Sequence, residues 1–144
     1  MERRVFLKGA CRICLLGAAV PTVAADLSSC SPKIAGSNAF KPEVKDNLVE
    51  VPLSMFEKQP FQVISPDKYE YEISVEKKAG NSYKALLLKC THYQNQLTTT
   101  GNGFICSLHG SKFDIEGNVT KGPAENSLQE LKTQIIKENL IIHL

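Results

Sequence analysis

The chain has 144 residues, is 42% hydrophobic and 22% charged, and holds no Trp; that is enough for one domain with its own core and too little for a second one of ordinary size. The formal net charge of +2 lies wholly in the first thirty residues, where Arg3, Arg4, Lys8 and Arg12 face only Glu2 and Asp26. Beyond them 13 basic and 13 acidic residues balance, and a neutral body without a basic run excludes nucleic-acid binding, which needs cations to neutralise phosphates.

Residues 1–29 read as an export signal: a short basic stretch, an apolar run from Ile13 to Ala25, then small residues before Cys30. Arg3-Arg4-Val5-Phe6-Leu7-Lys8 resembles the twin-arginine signal, with Glu2 where Ser or Thr is usual; the competing reading is a general secretory signal with two arginines. Leu27-Ser28-Ser29-Cys30 resembles a bacterial lipobox, which would make Cys30 the acylated N-terminus and place the protein at the outer face of a bacterial membrane. Cleavage after Ala25, or retention of the apolar run as an anchor, are the alternatives, and at 13 residues that run is short of the roughly 20 a spanning helix needs. Cys11-Arg12-Ile13-Cys14 imitates a redox C-x-x-C but sits inside the signal. From Cys30 to Asp46 the sequence has Pro, Gly, Ser and Lys without apolar periodicity and reads as a flexible tether. The domain is expected over residues 47–144.

There the chain carries short β-prone runs: Leu48–Leu53, Phe61–Ser65, Tyr71–Val75, Tyr83–Leu88, Gly103–Cys106, Lys112–Ile115, Thr133–Lys137 and Leu140–His143, nearly all separated by turn residues. Gly80-Asn81, Glu116-Gly117-Asn118 and Glu138-Asn139 mark tight turns. No segment sustains helical periodicity. The expected fold is all-β, an antiparallel sandwich or small barrel.

Two motifs concentrate the soft and borderline metal ligands: Cys90-Thr91-His92 and Cys106-Ser107-Leu108-His109-Gly110-Ser111, separated by 13 residues. They hold both cysteines of the domain and two of the chain's three histidines. Five cysteines in all, an odd number with three in the N-terminal segment, argue against a disulfide framework. Each motif follows a strand, and Gly101-Asn102-Gly103 lets the chain turn back so that the two can face each other. Two thiolates and two imidazoles suit tetrahedral zinc, although zinc sites usually pair like ligands, whereas here each loop supplies one Cys and one His.

C-x-H followed by C-x2-H resembles the pattern of the Rieske family, and the likeness extends through Phe113-Asp114, Gly117 and Gly122-Pro123-Ala124. The resemblance implies an antiparallel β-sandwich with a small cluster-binding subdomain of two loops. It implies one 2Fe-2S cluster, with Cys90 and Cys106 on one iron and His92 and His109 on the other. Neutral imidazoles make their iron the easier one to reduce, and their remaining ring nitrogens can couple electron to proton uptake. Gly110, Ser111, Phe113 and Pro123 then surround the cluster, Pro123 in a loop that covers it. The implied role is one-electron transfer between a redox donor and an acceptor, either as part of a membrane-associated oxidoreductase or as the quinol-oxidising subunit of a cytochrome bc-like complex. The lipid anchor would hold it at the membrane surface. In cytochrome bc-type Rieske subunits a disulfide staples the two loops, and a Tyr bonds a ligand sulfur; Asn95 and Leu108 stand at the disulfide positions here, and Phe113 at the Tyr. With one donor to sulfur fewer, a lower reduction potential is expected. His143 reads as an ordinary sheet residue.

Overall fold

A computed structural model describes residues 40–144; Arg3, Arg4, Cys30 and the export signal lie outside the described residues. Among the described residues, twelve strands form three antiparallel sheets of four. The first has the order β1 (Val44–Lys45), β2 (Leu48–Pro52), β12 (Asn139–His143), β11 (Thr133–Ile136). The second is β10 (Glu130–Leu131), β5 (Tyr83–Leu87), β4 (Ile73–Lys77), β3 (Phe61–Ile64). The third is β6 (Thr98–Thr100), β7 (Gly103–Ile105), β8 (Lys112–Asp114), β9 (Val119–Lys121). The antiparallel all-β architecture is the expected one.

Alternation along β2 and apolar stretches in β4, β5 and β12 build the base. Val49 and Val51 of β2 and Leu140 and Ile142 of β12 face Ile64, Ile73, Val75, Tyr83, Ala85, Leu87 and Leu131 of the second sheet in one buried core, as two sheets packed face to face require. Strand β5 departs from simple alternation, since Ala85, Leu86 and Leu87 are all buried. Its odd-numbered residues enter the base core, while Leu86 and the following Leu88 enter a second core with Cys90, Leu97, Phe104, Cys106, Phe113, Ala124 and Leu128. A strand covered on both faces is apolar where it is covered, here from Ala85 to Leu87. Here it serves as the wall shared by the sandwich and the ligand-bearing unit.

Three expected boundaries move. The folded body starts before residue 47: Phe40 bridges Ile64, and β1 pairs with β2 across Val44↔Val49 and Lys45↔Leu48, so the end of the expected tether is built into the sandwich, drawn there by Phe40 and Val44, which pack on the core. The run expected from Tyr71 to Val75 becomes a strand only at Ile73; Tyr71 Oη instead donates to the Gln94 carbonyl at 2.9 Å and the Glu72 amide to Gln96 Oε1 at 3.0 Å. The last hairpin turns on Lys137-Glu138, with Asn139 already paired to Ile136 and Lys137 at a φ of 55°.

Candidate metal centre

Both ligand motifs fold into the same loop. In the first, the Cys90 amide donates to the Asn95 carbonyl (2.8 Å) and the Gln94 amide to the Cys90 carbonyl (2.8 Å). In the second, the Cys106 amide donates to the Ser111 carbonyl (2.8 Å) and the Gly110 amide to the Cys106 carbonyl (2.9 Å). The fifth residue of each loop turns left-handed, Gln94 at a φ of 52° and Gly110 at 77°. Glycine is at ease there and glutamine is not, which hid the likeness of the two loops in the sequence. They differ in where the histidine falls, third in one and fourth in the other.

The donors divide by depth. The Cys90 and Cys106 thiols are each 1% exposed and unpaired by any disulfide. His92 and His109 are exposed, with ring centroids 5.0 Å apart in an edge-to-face arrangement. Burial opposes ionisation of Cys106, but the amides of His109 and Leu108, the Cys90 thiol and the Asn95 side chain all direct hydrogen bonds at it, and together they hold it below the ordinary thiol range. A buried sulfur already surrounded by donors is prepared to be a thiolate ligand. Among the described residues no group of three or more His, Cys, Asp or Glu could hold a single metal ion. Two buried sulfurs and two exposed imidazoles, one of each on either loop, form a donor set that fits a two-metal cluster with one sulfur pair and one nitrogen pair.

Of the residues expected near the four, Gly110 and Ser111 close the second ligand loop and Phe113 shares a core with both thiols. Ser111 is fully buried, and its Oγ accepts the Ala124 amide at 3.0 Å, which fastens the Gly122-Pro123-Ala124 loop to the second ligand loop and leaves the hydroxyl proton free. Pro123 is exposed at the tip of that loop, behind a cis Gly122-Pro123 peptide. Phe113 is 2% exposed, pairs with Phe104 across β7 and β8, and lies in the core beneath the thiols. The hairpin of β6 and β7 turns on Gly101-Asn102, since Thr100 pairs with Gly103. A side chain at Gly103 would put its Cβ 2.1 Å from the Phe113 carbonyl oxygen, so glycine there is a requirement of close strand approach.

Thr91, Tyr93 and Gln94 were not singled out for the site in the sequence, and Asn95 was read only as standing where a disulfide cysteine would be. Thr91 Oγ1 donates to the Asn126 carbonyl at 2.6 Å, Asn95 Nδ2 lies 3.9 Å from Cys106 Sγ, and Gln94 closes the first loop. Tyr93 is 69% exposed with its ring 6.0 Å from that of His109, and with the half-exposed Leu108 it rims the imidazoles. Farther back, Glu116 in the β8–β9 turn receives Lys78 Nζ at 2.6 Å and Lys84 Nζ at 2.8 Å. These two lysines hold its carboxyl at a pKa of about 2 and tie the ligand-bearing unit to β5 and the segment after β4.

Fold and donor set together define a two-loop metal-binding β-domain. Residues 49–132 match the Rieske 2Fe-2S domain, and the chain belongs to that family, whose domain binds a 2Fe-2S cluster. No curated protein matches the chain. Among solved structures, the plasma membrane Rieske protein PetC3 of the cyanobacterium Synechocystis PCC 6803 is similar at 24% identity, over 67% of this chain and 99% of that one, with a TM-score of 0.52. A naphthalene 1,2-dioxygenase variant bound to phenanthrene is similar at 18% identity over 73% of this chain but only 26% of that one, with a TM-score of 0.51. At these identities the likeness is one of fold.

Proposed function

We propose that this protein is a one-electron carrier in which Cys90 and Cys106 hold the buried iron of the 2Fe-2S cluster and His92 and His109 the outer one. The observation that carries the reading is the division of the donors by depth: both sulfurs buried, both imidazoles exposed on loops of identical closure. The cluster, when bound, supplies a one-electron couple. The chain's own residues do the rest. The buried thiolates and the amides around Cys106 balance the charge of the two redox states. The imidazoles bring the reducible end to the surface, where a partner can approach. Ser111 and the Ala124 loop shield the inner side from water.

Export by Arg3-Arg4 in a folded, cluster-loaded state and acylation at Cys30 would hold the domain at the outer face of a bacterial membrane, as part or partner of a membrane-associated oxidoreductase. The buried Phe113, which brings no hydroxyl to the sulfurs, supports a reduction potential below that of quinol-oxidising subunits. A redox titration of the full-length, cluster-loaded protein followed by EPR tests the whole reading. Pulsed EPR should resolve two histidine nitrogens coupled to the reduced cluster, and the potential should be low. A reduced signal without nitrogen coupling would overturn the ligand assignment, and a high, steeply pH-dependent potential would overturn the carrier role in favour of quinol oxidation.

A further inference from the structure

The three loops of the ligand-bearing unit are fastened to one another pairwise by side chains. Ser111 joins the second ligand loop to the Ala124 loop. Thr91 Oγ1, one residue from each of two ligands, donates to the Asn126 carbonyl at 2.6 Å and joins the first ligand loop to the segment after Ala124. Asn95 completes the ring. Its backbone carbonyl closes the first loop on the Cys90 amide, while its side-chain Nδ2 bonds the Gln96 carbonyl at 2.9 Å and points a donor at Cys106 Sγ, 3.9 Å away in the second loop. The first loop is held from outside as well, through the bonds of Tyr71 to Gln94 and of Glu72 to Gln96. Positions 95 and 108 are where cytochrome bc-type subunits place their loop disulfide; here one is an amide and the other an exposed leucine.

We propose that Asn95 and Thr91 are positioning residues that lock the ligand loops without a disulfide, Asn95 by bridging loop to loop through the Cys106 sulfur and Thr91 by latching the first loop to the third. The proposal rests on the ligand assignment of the preceding subsection. It separates two effects. Each latch resists opening of the loops, and a single hydrogen bond contributes about 1 kcal/mol, or roughly fivefold in an opening equilibrium. The Asn95 donor has an electrostatic effect in addition, because an N–H aimed at a ligand sulfur stabilises the more negative, reduced state and so raises the potential. Thr91 bonds no sulfur, so its part is retention.

The test uses the full-length, cluster-loaded protein, with the rate of visible bleaching under an iron chelator and the midpoint potential as readouts. Thr91→Val should bleach about fivefold faster, and Thr91→Ser, which restores the hydroxyl, should return to the wild-type rate. Asn95→Leu, which keeps the volume and removes the donor, should bleach faster and also titrate at a lower potential. Should Asn95→Leu not take up the cluster, Asn95→Ala removes the same donor with room to spare and carries the same expectation. Wild-type bleaching rates in both variants, or an unmoved potential without the Asn95 amide, would overturn the proposal. Loss of histidine coupling in the wild-type spectrum would instead sink the ligand assignment, so the two failures can be told apart.

Discussion

Strands β2, β4, β5 and β12 of the base run for five residues each and close on a core of aliphatic and aromatic side chains that holds no cysteine. Strands β6 to β9 of the ligand-bearing unit run for three residues apiece, and their core includes both ligand thiols. The base can be stabilised by sheet pairing and apolar burial alone. The second unit has less of either, and under the proposed ligand set part of its order would come from the cluster, since metal binding free energy is also folding free energy. One half of the molecule is a protein core; the other is a socket braced by that core along β5.

Four substitutions can break or sharpen that contrast. The largest effect is expected from Cys106→Ala, which should abolish the visible absorption and the EPR signal completely while far-UV circular dichroism keeps the β-signature of the base. Collapse of both together would show that the base depends on the cluster. Ile142→Ala, in the fully buried heart of the sandwich, should cost about 3 kcal/mol in chemical unfolding and leave the midpoint potential where it was.

Glu116→Gln cuts the tie between the halves. The pKa of Glu116 in the fold, about 2, lies below the ordinary 4.5, so its contribution is complete above pH 4.5 and is lost as the pH falls towards 2. Because its side chain is 44% exposed, the contribution is set near 1 kcal/mol rather than at the full value of the shift. The variant should be less stable than wild type by that amount at pH 7, with the gap closing in acid unfolding curves near pH 2. The smallest effect is expected at Gln94. Gln94→Gly relieves a left-handed glutamine at the place where the sister loop already uses Gly110, and a gain within about 1 kcal/mol in melting experiments is expected. A clear loss would mean that the two loops are alike in hydrogen bonding but not in strain.

The donors were legible in the sequence because only two short stretches of the domain pair a cysteine with a histidine, and their offset fixed which family they resemble. The sandwich was legible through short β-prone runs separated by turn residues, Leu48–Leu53, Phe61–Ser65 and Leu140–His143 among them. Three features were hidden for physical reasons. The double burial of β5 looks like one more apolar strand, because sequence does not tell which face meets which core. Strands of two residues carry little local signal: Glu130–Leu131 is held by β5, far back in the chain, and Val44–Lys45 is recognisable only by its pairing with β2 just beyond Asp46-Asn47. Thr91, Gln94 and Asn95 are ordinary polar residues whose roles come from backbone closure and from the nearness of the other loops.

The order of strands across the first sheet bears on timing. Strand β12 is the most C-terminal strand described, yet it lies between β2 and β11 and pairs with both. That sheet cannot assemble until residue 143 has been made, and its pairing with β2 spans most of the domain, which slows closure. Every donor and every loop latch, by contrast, lies between residues 90 and 126. On a growing chain the metal ligands are finished while the sandwich that braces them still lacks an inner strand. The pairing of β12 with β2 therefore closes a loop of chain that contains every proposed donor and every latch, so the site is complete only inside a ring whose two ends are the first sheet's inner strands.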